Sequence, residues 1–156
     1  MSVLTSLFAS PLDAVALAWF LILGFAFRQS LRLPAIARHS ISTAVQAHRV
    51  AWMRNMAVRD NRVLDTMLVG NLGQGNAFFA STSAIAIGGL SAILGSGEKV
   101  QGLLQQLPFV AVSSPAFFEM KIILMITIFV YAFFKFAWAF RLAHYTSIMI
   151  GSTPLY

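Results

Sequence analysis

Polar and apolar positions segregate along this chain on the scale of whole segments, leaving three long, predominantly apolar stretches at residues 11–33, 71–95 and 115–141. The first opens on Ser10, Pro11 and Asp13. A serine hydroxyl accepts from early backbone N–H groups, proline suits the first helical position, and an acid three residues after the serine completes a capping box. A helix over residues 11–33 would extend ~34 Å, enough for a hydrocarbon core of about 30 Å, with Arg28 and Arg32 snorkelling at one end and Pro34 as the stop. Residues 1–12 hold no Lys or Arg, so the pattern is that of an uncleaved span with its N-terminus outside rather than a secretory signal.

The connector over residues 34–66 is polar, yet Ile41, Val45, Trp52, Met56 and Val63 recur at helical spacing along one side. This predicts a cytoplasmic or interfacial amphipathic helix, with Arg49 and Arg59 near the edge of the apolar stripe. The stretch GNLGQGN at residues 70–76 predicts a break or flexible joint before the second span, because each glycine weakens a helix by about 1 kcal/mol relative to alanine. It lacks the GxxxxGK[ST] order of a nucleotide loop and follows no predicted strand.

Beyond that joint, Asn76, Ala80, Ala84, Gly88, Ala92 and Ser96 fall four apart, and Ala77, Ala80, Ser83, Ala86, Gly89 and Ala92 fall three apart. Both helical ridges on one side are therefore small. In lipid such a surface lets another backbone approach and gain van der Waals contact that acyl chains do not match. We read Ala80, Ala84, Gly88 and Ala92 as a packing face. Ser81, Thr82 and Ser83 can satisfy their hydroxyls on carbonyls one turn back. Residues 97–114 are too short to span and predict an outer-face interfacial or re-entrant segment.

Ser114 and Pro115 open the third span, a Phe-rich helix through Arg141 with Glu119 and Lys121 near its outer end. Lys135 lies ~21 Å of helix rise beyond Lys121, within the inner leaflet. An intramembrane lysine marks a site by default, with Asp65 as its nearest counter-charge; snorkelling to the inner headgroups is the simpler account. Asn71, Gln74 and Asn76 join Asp65 and Lys135 as the candidate polar site. Trp138 and Tyr145 suit the same interface.

Composition sharpens this picture. The chain is 58% hydrophobic and 10% charged, where a soluble domain is about one quarter charged, so an integral membrane protein is expected. Cysteine is absent, which excludes disulfides, thiolate metal sites and cysteine nucleophiles. The net charge of +6 does not point to nucleic acid: seven of the eight arginines lie in one stretch between apolar segments, as in a cytoplasmic loop. His39, His48 and His144 show no metal-binding spacing, the five carboxylates are scattered, and no serine stands in GxSxG. We expect no catalytic residue, no metal and no cofactor.

The segments AHRVAWMRNMAVRDNRVLDTMLVGNL, NAFFASTSAIAIGGLSAILG and MKIILMITIFVYAFFKFAWAFRLAHYTSIMIGSTP together resemble the family of membrane proteins known as domain of unknown function 599, over roughly residues 12–154. The sharpest parts are Trp52-Met53, Arg59 with Asp60 and Arg62, the FFASTSAIAIGGL core, and Phe134-Lys135-Phe136 with Trp138 and Arg141. The resemblance implies a polytopic membrane protein without assigned activity, and a further apolar helix after IGSTP, so this chain is expected to be a fragment or a C-terminally short member.

The sequence thus predicts an all-α, polytopic membrane helical bundle: one membrane domain over residues 1–156 with three transmembrane helices and an amphipathic connector. We expect a protein of the bacterial inner membrane whose partners are the lipid bilayer and a second copy or another membrane subunit. A structural or interaction role is the leading expectation, a channel or transporter the alternative, and a membrane enzyme the third.

Overall fold

The computed structural model describes residues 11–30, 33, 41–104, 106 and 114–154. Five helices make up the regular structure of these residues: α1 (Pro11–Ser30), α2 (Ile41–Ala57), α3 (Val63–Gly95), α4 (Gly97–Leu104) and α5 (Pro115–Ser152). The fold is all-α among the described residues. The chain divides into two compact units: one holds Leu64–Gly151, and the other holds Ser10–Val63 with the residues from Ser152 onward.

Helix starts follow the prolines. Both α1 and α5 begin on one, where the missing N–H costs nothing. At α5, Ser114 is the cap: its carbonyl accepts from Phe117 N–H at 3.0 Å and Phe118 N–H at 3.1 Å. Its hydroxyl oxygen accepts from Phe117 N–H at 3.4 Å.

Two helices, α3 and α5, are long and apolar enough to cross a bilayer, not the three expected from residues 11–33, 71–95 and 115–141. The described apolar stretch of the first candidate, Val15–Ser30, is shorter; its helix ends at Ser30, whose hydroxyl donates to Phe27 O at 2.8 Å and whose carbonyl accepts from Leu33 N–H at 3.1 Å.

The connector is not one helix to residue 66. It stops at Ala57, and residues 58–62 form a turn before α3. Asn61 sets the new start, since its side-chain oxygen accepts from the Val63 N–H at 3.0 Å, the short-range bond that suits Asn to turns and caps. Of the predicted apolar stripe, Met56 is buried and Trp52 half-buried, whereas Ile41 and Val45 are exposed.

The expected joint at residues 70–76 is also corrected: α3 runs through it unbroken for 33 residues, and no glycine has positive φ. Gly73 has a packing reason to stay helical. A Cβ placed there would lie 3.5 Å from the Ala143 side chain and 3.8 Å from the Phe140 ring, so α3 and α5 are in close contact where α3 has no side chain. The expected interfacial segment at residues 97–114 is helical over its first half, as α4; residues 107–113 lie outside the described residues.

Within Leu64–Gly151, α3 and α5 form an antiparallel pair. Gly73 faces Phe140 and Ala143, and six residues later Phe79 stacks on Phe136 with ring centroids 5.2 Å apart. Along α3 a row of buried and half-buried positions, Val69, Gly73, Asn76, Ala80, Ser83, Ile87, Leu90 and Leu94, steps by four and three, flanked by half-buried Ala77, Ala86 and Ile93. Along α5 the matching positions are Ile122, Ile126, Phe129, Phe133, Phe136, Phe140, Ala143, Ser147 and Ile150, with the same alternation. A repeat of 3.5 residues is the seam of a left-handed helix pair. Phe129, Phe133, Phe136 and Phe140 of α5 stand along the stretch where α3 offers Gly73, Asn76, Ala80 and Ser83, so large side chains meet small ones along the seam.

Candidate functional site

The polar residues singled out by sequence separate into different environments. Asp65 sits in the first turn of α3 and is fully buried, at 0% exposure; an acid there complements the positive end of the helix. Asn76 is half-buried, and its side-chain amide donates to Leu72 O at 3.0 Å, one turn back. Asn71, Gln74 and Lys135 are exposed. Thr82 and Ser83 donate to Phe78 O at 2.9 Å and Phe79 O at 2.8 Å, so their hydroxyls are satisfied within the helix.

The fold does not bring Asp65 to Lys135. Lys135 adjoins Phe136, which stacks on Phe79, and Asp65 lies 14 residues before Phe79 on α3, a separation of ~21 Å of helix rise. The counter-charge suggested by sequence therefore stands at a different level of the hairpin.

The packing face divides as well. Ala80 is buried in the seam, whereas Ala84, Gly88 and Ala92 are exposed, and a Cβ at Gly88 or Gly89 would meet nothing within 4 Å. Between residues 81 and 95 the exposed positions of α3 are Ser81, Thr82, Ala84, Ile85, Gly88, Gly89, Ser91, Ala92 and Gly95, of which only Ile85 is bulky. Over residues 123–134 the exposed surface of α5 is made of Ile123, Leu124, Met125, Ile128, Tyr131 and Phe134 beside Thr127. One pair of helices thus carries two chemically different outer surfaces.

Sequence reasoning passed over the far end of α5 as ordinary interface residues. There the seam opens into a cleft of about 330 Å³ where Gly70 and Gly73 withhold side chains from Phe140, Ala143 and His144, with Gln74 and Ser147 at its edge. The neighbouring face of α5 carries an open, shallow groove of about 610 Å³ whose described lining, Phe134, Trp138, Arg141, His144, Tyr145 and Ile148 among others, comes from α5 alone. The readable signal was the spacing of residues 134, 138, 141, 145 and 148, which places them on one helical stripe.

At the other end of α2, Arg62 collects carbonyls. Its guanidinium donates to Ala57 O at 3.2 Å, to Pro154 O at 3.1 Å and to Thr153 O. The first closes the C-terminus of α2, and the other two follow the C-terminus of α5, so one cation serves the negative ends of two helices. This gives the RDNR stretch a structural task.

The architecture is that of an all-helical protein built on two long apolar helices. The family model described as "Protein of unknown function, DUF599" matches residues 15–156, and the chain belongs to that family. No curated protein and no solved structure matches the chain.

Proposed function

We propose that the protein is a non-enzymatic integral membrane subunit of the bacterial inner membrane that associates with a second copy of itself through the exposed side of α3. The observation that carries this reading is the contrast between the two outer surfaces of the hairpin. Large side chains on α5 suit contact with acyl chains. On α3, the spacing Ala84, Gly88, Ala92 is the small-xxx-small pattern that membrane helices use to bring backbones together.

The lengths fit a bilayer crossing. Lys121 and Arg141 are separated by ~30 Å of helix rise along α5, the thickness of a hydrocarbon core. With that layer placed between them, Ala84, Gly88 and Ala92 fall inside it, and the start of α3 and the end of α5 project beyond it on the side of the basic connector. That side is assigned to the cytoplasm by its excess of arginine.

Substitution at Gly88 separates fold from assembly. A leucine there meets open space within the chain, so the hairpin should keep its melting behaviour, while a close helix contact with another copy would be lost. Native mass spectrometry of the wild type and Gly88→Leu in mild detergent tests this. A complex in the wild type and a monomer in the variant support the reading; a wild-type monomer, or a complex indifferent to the substitution, contradicts it.

A further inference from the structure

We propose that the groove around Arg141 binds the phosphate headgroup of an anionic phospholipid; this rests on the membrane placement given above. Along this stripe of α5 the side chains change in character. Phe134 and Trp138 lie on the side toward the hydrocarbon, and Arg141, His144 and Tyr145 follow within two turns. An apolar wall continuing into a basic, donor-rich one is the profile of a lipid, with acyl chain below and phosphate above, and not that of a soluble anion.

The polar groups are available for a ligand. Among the described residues the side chains of Arg141 and Tyr145 make no hydrogen bond or ion pair, and the His144 side chain makes a ring contact with Phe140, 4.7 Å between centroids. Arg141 and His144 are three apart and Arg141 and Tyr145 four apart, so their donors converge on one patch of helix surface. No acid on α5 offsets Arg141: the only acid in that helix is Glu119, ~33 Å of rise away near the opposite end. On the packed neighbour α3 the acid is Asp65, which is fully buried and lies well beyond the level of Gly73. A guanidinium at the hydrocarbon boundary with no anion supplied by the hairpin is satisfied by a lipid phosphate, for which its planar fork is suited.

The experiment uses the purified chain in detergent, offered phosphatidylglycerol or phosphatidylcholine, with retained lipids counted by native mass spectrometry. The wild type should retain phosphatidylglycerol about fivefold over phosphatidylcholine, the preference expected from one basic side chain at a headgroup. Arg141→Ala and the longer neutral Arg141→Gln should both lose that preference, and Arg141→Lys should keep part of it. Equal retention of the two lipids by the wild type, or a preference that survives in both neutral variants, overturns the proposal. Displacement of phosphatidylglycerol by millimolar inorganic phosphate would overturn it in favour of a free-phosphate site. Failure of the membrane placement reads differently: the protein would stay monodisperse without detergent and retain neither lipid.

Discussion

Gly73 of α3 lies so near Ala143 of α5 that a Cβ added to the glycine would stand 3.5 Å from the alanine Cβ. That distance is ordinary van der Waals contact, so Gly73→Ala should be accepted, and the better helix propensity of alanine adds up to about 1 kcal/mol. Gly73→Leu has no such room against the Phe140 ring and should cost roughly 1–3 kcal/mol through overpacking. Thermal melts of the two variants in detergent are expected to shift in opposite directions; a shared direction would contradict the closeness of this contact.

Arg62 should be needed to hold the chain after α5. Hydrogen bonds from a charged group contribute about 1.5–3 kcal/mol each when well buried, and Arg62 is half-exposed, so Arg62→Ala should cost roughly 1–3 kcal/mol. Lysine lacks the forked donors that reach carbonyls on two segments and should not rescue it. Hydrogen exchange at the amides of Ser152 and Thr153 is the readout: faster exchange in both variants is expected, and unchanged protection would remove Arg62 from this role.

Asp65 and Lys135 should act independently. Asp65 is fully buried, and its replacement by alanine should be strongly destabilising, whereas exposed Lys135→Ala should change stability by less than about 0.5 kcal/mol. At ~21 Å of separation their effects should add to within about 0.5 kcal/mol in a double-mutant cycle. A coupling above about 1 kcal/mol would mean that the two charges meet.

These cases also show which parts of the fold are legible in the sequence. Pro11 and Pro115 announce their helices because the proline ring fixes both φ and the lost donor. The glycines at 70, 73 and 75 mislead, because their cost in an isolated helix says nothing of Gly73's contact with Ala143, which depends on a segment 70 residues away. The stripe Ala80, Ala84, Gly88, Ala92 is visible as small residues, yet smallness does not say which of them face their own chain. The 3.5-residue seam takes Ala80 and leaves the rest, and that seam mixes Val69, Asn76, Ile87 and Leu90 with the small residues, so size alone does not trace it. On α5 the apolar residues run all round, which hides the seam and the stripe at Arg141 alike.

The absence of native cysteine makes disulfide crosslinking the most direct test of self-association through α3. Single cysteines placed at Ala84, Gly88 and Ala92, and at Ile123, Leu124 and Ile128 of α5 as comparison, would be oxidised in native membranes and resolved by mass. Dimers at the three α3 positions and none at the three α5 positions are predicted. Crosslinks confined to α5, or none at any position, would contradict the account.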